Sequence, residues 1–530
     1  MSIKPHIKEL ASALREKGVQ YAFGVAGGGT SLELITALAE SGVNYYPVSH
    51  EGAAALMAGA CCSDGKTRAV ALSIKGPGLV NMVPGITSNY FENRPSITIS
   101  EAYDPQAPTH KMHKRAPHYE MIQPILKGFV GSDGKKETIS NLVAVMEKEV
   151  PGPGHIELYG GPDEAEHTFL ASMERGMRKS EVSIPSSAME HIRQSKRPAL
   201  VLGSIAQRAF SGFDFSSIGI PVATTAAAKG SVDEYSSLSA GIVTGEIKEL
   251  SPESTVLAQA DLIVGIGLRN TEVVAAKPFG APLIIFDGEV DQALHGGFEV
   301  ESVYAVRDIN GSIFKTLFEE LSKKEWGKDE IQKLRLQLEK ELFDSDLMPA
   351  TVFRVLQQNM SEDAILTLDT GLFCVIGETV WKARSTKHFI GSSVGRFMGT
   401  GIPTAIGVSI SNPNNDVVCV MGDGGIRPYL SEIRLAVSER LPILFVLMSD
   451  GRYGSVALAG LSKDLHPRGF EIEDTAWHKV VGQLGCESKS ISNETEFTEA
   501  LNMWKKASGP LFLGLSFDKD NYLAMTSKLR

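Results

Sequence analysis

The chain of 530 residues is 43% hydrophobic and 22% charged, an ordinary globular balance that excludes a disordered or fibrous polymer. At roughly 150 residues per domain it holds about three to four domains. Its net charge of −11 leaves little counterion release to gain on DNA or RNA, so no nucleic-acid partner is expected.

In chain order, residues 1–18 place Ile3, Ile7, Leu10 and Leu14 at helical spacing among Lys, Glu and Arg. That spacing predicts an amphipathic surface helix rather than the apolar core of a secretory signal. Short apolar runs then alternate with helical stretches. The predicted strands are 69–74, 96–100, 199–203, 262–266, 283–287, 364–369, 417–421, 443–448 and 511–516. They are continuous runs rich in Val, Ile and Leu, the pattern of strands buried on both faces of a parallel sheet. Polar or charged segments at 160–187 and 319–348 divide the chain into expected domains 1–170, 185–325 and 345–530. The expected fold class is α/β, three doubly wound domains with parallel sheets. The most apolar run, 441–448, falls far short of the roughly 20 residues that span a bilayer, so no membrane partner is expected. The five cysteines are odd in number and lack a C-x-x-C spacing, so neither a disulfide framework nor a zinc site is expected. A reduced, cytoplasmic protein fits this usage.

The densest chemical signal is Val417-Val418-Cys419-Val420-Met421-Gly422-Asp423-Gly424-Gly425. A strand runs into Gly-Asp-Gly-Gly, and a helix is expected to follow, with Pro428 in its first turn. Glycines let backbone N–H groups approach an anion, and a helix N-terminus adds partial positive charge. Asp423 would repel a phosphate unless a cation lay between them, so Mg²⁺ with a diphosphate is the charge-consistent pair. Asp450 follows the next strand, 27 residues later, and would bring a second carboxylate to the same sheet edge. The Arg452 carbonyl is a third expected ligand.

These residues resemble the binding motif of thiamine diphosphate enzymes, most of all the acetolactate synthase and 2-oxo acid decarboxylase branch. Other blocks resemble that branch in the same order. They are Phe23-Gly24-Val25-Ala26-Gly27-Gly28, His50-Glu51-Gly52-Ala53-Ala54, Gly76-Pro77-Gly78 with Asn81, and Gly395 through Gly407. Central-domain positions such as Lys196-Arg197-Pro198, Lys229-Gly230 and Ala260-Asp261 are similar too.

The resemblance implies a pyrimidine-binding first domain, a Rossmann-like central domain and a diphosphate-binding third domain. It implies thiamine diphosphate and Mg²⁺ as cofactors, held between the subunits of a homodimer or homotetramer. Glu51 matches the catalytic glutamate that hydrogen-bonds N1′ of the aminopyrimidine. Met398 matches the apolar residue that props the cofactor in its bent form. Asp423, Asp450 and Arg452 match the metal-side positions. Gly371, Leu372, Gly424, Gly425, Tyr453 and Gly454 match the diphosphate or thiazolium side. FAD is not expected, because Gly203-Ser204-Ile205-Ala206-Gln207 lacks a G-x-G-x-x-G.

Departures from the pattern bear on the reaction. Ser449 stands where the family has Asn, and Ala26 where it has Pro. Simple decarboxylases carry a glutamate at the position of Gly454, and their His-His pair is missing. That shifts the expected reaction toward decarboxylation of a 2-oxo acid with ligation of the remaining acyl unit to a second carbonyl. The alternatives are a simple decarboxylase that releases an aldehyde and an inactive homologue that only binds the cofactor. Lys75, His113, Lys114, Arg396, Arg427 and Arg452 make a basic set in an acidic chain. With Gly28, Lys75 and His113 on the substrate side, they suggest an anionic substrate. The Lys- and His-rich loop up to His118 otherwise reads as a solvated surface.

Overall fold

The computed structural model describes residues 3–530 except 109, 111, 163–166, 172–183, 211, 289–291, 299, 301, 306–312, 344–346, 474 and 506–507. Much of the expected boundary at 160–187, and 344–346 of the expected boundary at 319–348, therefore lie outside the described residues. The described strands form three sheets.

In the first, β1 (Tyr21–Gly24), β2 (Asn44–Pro47), β3 (Ala69–Ser73), β4 (Ile97–Glu101), β5 (Gly128–Gly131), β6 (Gly154–Leu158) and β7 (Phe169–Leu170) take the order β2-β1-β3-β4-β6-β5-β7. Only the β5–β7 pair is antiparallel. In the second, β8 (Pro198–Leu202), β9 (Val222–Thr224), β10 (Ser239–Ile242), β11 (Leu262–Ile266), β12 (Leu283–Asp287) and β13 (Ser302–Ala305) run β10-β9-β8-β11-β12-β13, all parallel. In the third, β14 (Ile365–Leu368), β15 (Phe389–Gly391), β16 (Val417–Gly422), β17 (Ile443–Ser449), β18 (Glu487–Ile491) and β19 (Leu511–Ser516) run β15-β14-β16-β17-β19-β18, again all parallel.

Interior strands carry apolar side chains on both faces because helices cover both. On β16, Val417, Cys419 and Met421 enter one core while Val418 and Val420 enter another. The first of those cores also holds Ala53–Ala58 and Ile86, so the first and third domains share one continuous interior. Its centre is a crossing of two helices, Glu51–Cys61 and Gly401–Ser411. Every residue of the first is buried, and so is every residue from Gly401 to Ile410 of the second. A helix buried all round must be apolar all round, and small residues let two such helices approach closely. A Cβ at Gly407 would lie 2.4 Å from the Met57 carbonyl oxygen. Gly407→Val is therefore expected to cost about 1–3 kcal/mol through overpacking, read as a lower urea midpoint with unchanged slope.

All five cysteines are free and buried. Among the described residues, no helix is long and apolar enough to cross a membrane.

Candidate functional site

The third sheet builds a cleft at its carboxyl edge. Strands β16 and β17 are parallel neighbours in the register Gly422 with Met448, so Asp423 and Asp450 emerge side by side. The Asp423 carboxylate, 5% exposed, accepts hydrogen bonds from the Ser449 hydroxyl at 2.8 Å and from the Asp450 and Gly451 N–H groups at 3.0 and 3.1 Å. Asp450 accepts from the Arg452 N–H at 3.2 Å. Burial, reinforced by the Asp423 charge, pushes the Asp450 carboxyl up to about 6.

A cavity of about 140 Å³ opens over this pair. Gly371, Leu372, Met398, Gly424, Arg452, Tyr453 and Gly454 line it with the two aspartates. Of the positions expected on this side, Gly425 is not among the lining. A Cβ there would lie 2.1 Å from Asp369 Oδ2, so this glycine admits a buried carboxylate beneath the turn. Phe373, Met448, Ser455, Val456 and Tyr522 also line the cleft. They come from apolar runs and a distant C-terminal helix, and nothing in their spacing marks them.

The expected helix after Gly-Asp-Gly-Gly does not start at Pro428. Residues 423–429 turn, a 3₁₀ segment spans Leu430–Glu432, and the α-helix begins at Ile433. Tertiary contacts override the local signal. A Cβ at Gly399 would meet the Pro428 ring at 2.7 Å, and Tyr429 packs edge-on against His50 with ring centroids 5.4 Å apart.

The loop that carries Met398 is held from three sides by carboxylates. Glu92 accepts from the N–H groups of Ser393, Val394 and Gly395 at 2.9–3.1 Å. Asp369 accepts from Gly399 N–H at 2.9 Å, and burial pushes its carboxyl up to about 7. Glu378 pairs with Arg396 at 2.5 Å.

Glu51 lies elsewhere in the chain, as the first residue of its helix and 8% exposed. His50 caps that helix through Nδ1, which accepts from Gly52 N–H at 2.9 Å. Asn81 donates from Nδ2 to Glu51 Oε2 at 3.1 Å. Asn81 is placed by the helix Pro77–Phe91, whose cap Gly76 has φ +66° and donates its N–H to His118 Nε2 at 3.0 Å. His118 Nδ1 faces Glu157 at 3.2 Å. His118 is thus a buried support for the Gly-Pro-Gly turn and not part of a solvated loop. Its Lys- and His-rich context hid this.

Half of the basic set is spent on carboxylates. Lys75 pairs with Glu101 at 3.3 Å, Arg396 with Glu378, and Arg452 with Asp520 at 3.2 Å. His113 is exposed, with its Nδ1 3.2 Å from the Tyr103 hydroxyl. Nothing stands within 4 Å of a Cβ placed on Gly28, so open space faces that backbone.

The donor set suits a hard divalent cation that keeps part of its shell for phosphate oxygens. Among the described residues no cluster of three His, Cys, Asp or Glu side chains is poised for a metal, whereas two carboxylates meet in the cleft. One or two carboxylates plus substrate phosphates is the usual Mg²⁺ arrangement. Gly424 lets two lining side chains close over the turn: a Cβ there would strike Met398 Sδ at 2.5 Å and Tyr453 Cε1 at 2.6 Å. The N-terminus of the helix Gly454–Leu461 supplies free N–H groups at the same edge. A cation must displace the Asp450 proton. Apparent Mg²⁺ affinity is therefore expected to fall about tenfold per pH unit below pH 6 and to level off above it, measured by calorimetric titration.

Three family models match consecutive parts of the chain. They are the N-terminal TPP binding domain of thiamine pyrophosphate enzymes at 8–122, the central domain at 186–293 and the C-terminal TPP binding domain at 369–515. The chain is 24% identical to the catabolic acetolactate synthase of Raoultella terrigena, over 97% of this chain and 96% of that protein. It is 22% identical to a probable acetolactate synthase large subunit of Methanococcus aeolicus, over 97% and 92%. It is also 22% identical to the acetolactate synthase isozyme 2 large subunit of Escherichia coli strain K12, over 96% and 94%. With all three domain models matched in order and relatives aligned nearly end to end, the chain belongs to the thiamine pyrophosphate enzyme family.

Proposed function

We propose that the protein is a thiamine diphosphate- and Mg²⁺-dependent enzyme that decarboxylates a 2-oxo acid and ligates the remaining acyl unit to a second carbonyl. The relatives named acetolactate synthase support the reaction class. The observation that carries the choice of ligation is Gly454. A Cβ there would lie 2.3 Å from Leu372 Cδ1, so the cleft has no room for a proton-donating side chain at that position without displacing Leu372. When bound, the cofactor supplies the electron sink for loss of CO₂.

The chain's own residues bind and orient. Asp423, Asp450 and the Arg452 carbonyl hold Mg²⁺, Gly371, Gly424, Tyr453 and Gly454 line the diphosphate side, and Leu372 and Met398 present apolar surface to the thiazolium side. Glu51 holds a proton against the pyrimidine nitrogen, with Asn81 fixing its carboxylate. Among the described residues, none from the first domain lines the third-domain cleft, which supports a cofactor shared between two chains of a homodimer or homotetramer. Gly28, with open space before it, would face the partner's cleft. FAD is no part of this proposal, and the five free thiols suit a reducing cytoplasm.

The test incubates the protein with thiamine diphosphate, Mg²⁺ and a panel of neutral-tailed and acidic-tailed 2-oxo acids. CO₂, free aldehyde and the ligated hydroxy-ketone are scored. Ligated product matching CO₂ is expected. Aldehyde matching CO₂ would make it a simple decarboxylase, and no CO₂ from any acid would make it an inactive homologue. Preference within the panel decides whether Lys75 selects an anionic tail.

A further inference from the structure

A space apart from this cleft lies between the central domain, the third domain and the helix Lys328–Leu342 that connects them. It is a cavity of about 400 Å³, inside the range of about 300–1,000 Å³ typical of small-molecule sites. One wall is apolar. Ile331, Leu334, Leu338 and Leu342 line it from successive turns of the connecting helix, and Ile242 and Val380 stand among the other lining residues.

Positive charge gathers at the same cavity. Arg335 has no carboxylate partner among the described residues, and its Nη2 donates to the carbonyl oxygens of Ser236 and Ser239 at 2.6 and 3.1 Å. Lys382 stands exposed at the rim, with its ammonium over the Tyr235 ring at 5.4 Å and no carboxylate partner among the described residues. The nearby acids are already engaged. Glu234 pairs with the buried Lys229 at 2.6 Å and accepts from Ala383 N–H at 2.7 Å, and Glu339 faces Arg354 at 3.5 Å. Burial lowers the proton affinity of both Lys382 and Arg335, and the Arg335 charge lowers that of Lys382 further. An anion seated between them would relieve both effects.

The cavity is also joined to the cofactor cleft. The helix Phe373–Val380 has one end in each: Phe373 lines the cleft, while Thr379 and Val380 line the cavity. Eight residues of helix span about 12 Å as one rigid rod. A buried ionic chain runs beside it. Glu234 holds Lys229, whose ammonium donates to the Glu378 carbonyl at 2.8 Å, and the Glu378 carboxylate holds Arg396, two residues before Met398.

We propose that this interdomain cavity is an effector site for a small amphipathic carboxylate, its apolar body against the connecting helix and its charge at Lys382 and Arg335, and that occupancy is felt at the Met398 loop. The binding half stands without the cofactor assignment. The coupling half rests on it.

The test uses the full-length protein and calorimetry with 4-methylpentanoate, 4-methylpentan-1-ol and acetate. Saturable binding of 4-methylpentanoate is expected, with acetate and the alcohol at least about tenfold weaker. Lys382→Ala at the exposed rim should weaken it about tenfold, and Leu334→Trp, which fills the cavity, should abolish it. Saturating carboxylate should shift the Kd for thiamine diphosphate with Mg²⁺ by about fivefold or more, and Lys229→Met should erase that shift while leaving carboxylate binding intact. Absence of saturable binding, equal binding of the alcohol, or binding unchanged by Lys382→Ala would overturn the site. Carboxylate binding with an unchanged cofactor Kd would overturn the coupling alone, and a protein that binds the carboxylate but no thiamine diphosphate would fail the cofactor reading instead.

Discussion

Glu51→Gln is expected to lower kcat by about 10²–10⁴-fold while the protein still folds and still takes up thiamine diphosphate. The side chain is the right size to stay where it is. Gln can keep an acceptor toward Asn81 Nδ2, and the His50 cap on the helix does not depend on residue 51. What changes is the charge. A carboxylate favours the protonated pyrimidine nitrogen, whereas an amide cannot stabilise that positive ring. Because the residue is nearly buried at 8% exposure, no water replaces the lost charge. Single-turnover CO₂ release and cofactor affinity, measured together, check this. Undiminished turnover with normal binding would show that another group handles the proton.

Asp423→Asn is the second large effect, and it falls on binding. The Asp423 oxygens serve two tasks: they shape the 449–451 loop through Ser449 and two backbone N–H groups, and they carry charge beside Asp450. Asn can keep the first task. Its oxygen can accept both N–H groups while its amide donates to the Ser449 oxygen. It cannot keep the second. Mg²⁺ and cofactor affinity are expected to fall by about 100-fold or more, with the melting temperature of the apoprotein unchanged or raised. The rise would follow from removing one of two adjacent buried anions. The Asp450 carboxyl, now held near 6 by burial and by Asp423, should also return toward its ordinary value. Asp423→Ala, by contrast, should lower the melting temperature as well, because the two N–H groups and the hydroxyl lose their acceptor.

The nine strands predicted from apolar runs all occur, and all are interior strands of their sheets. None of the six edge strands, β2, β7, β10, β13, β15 and β18, was visible in this way. The reason is burial. An interior strand in a parallel sheet is covered on both faces and must be apolar at every position. An edge strand such as Glu487–Ile491 is partly exposed and carries Glu, Ser and Lys, so its sequence looks like a loop. Four interior strands, β1, β5, β6 and β9, escaped as well, and in β6 the reason is polar content. Its Gly-His-Ile-Glu-Leu has two polar residues that take tertiary partners, His155 Nδ1 with Thr98 and Glu157 with His118.

The site divides along the same line. The cluster of Asp423, Gly424, Asp450, Tyr453 and Gly454 was legible because strand, turn and adjacent parallel strand fix it locally, and a parallel neighbour brings both turns to one edge. The supports were not legible. Glu92, His118 and Asp369 act across domains or through backbone N–H groups and Glu378 through the Arg396 side chain, and no spacing in the chain encodes which carboxylate meets which loop. The basic set shows the converse. In sequence it looks like free charge, but the fold pairs Lys75, Arg396 and Arg452 with carboxylates 26, 18 and 68 residues away.

By itself, then, the sequence determined the α/β class, nine of the thirteen interior strands and the turns that bring Asp423 and Asp450 to one sheet edge, because each is set by composition and spacing within a few dozen residues. Only the tertiary structure decided that the first and third domains share one core, that the helix after Gly-Asp-Gly-Gly starts late, that His118 is a buried strut and that a charged cavity sits between the second and third domains. Those features come from contacts between distant segments, where burial and partner charges outweigh the local preferences that a sequence displays.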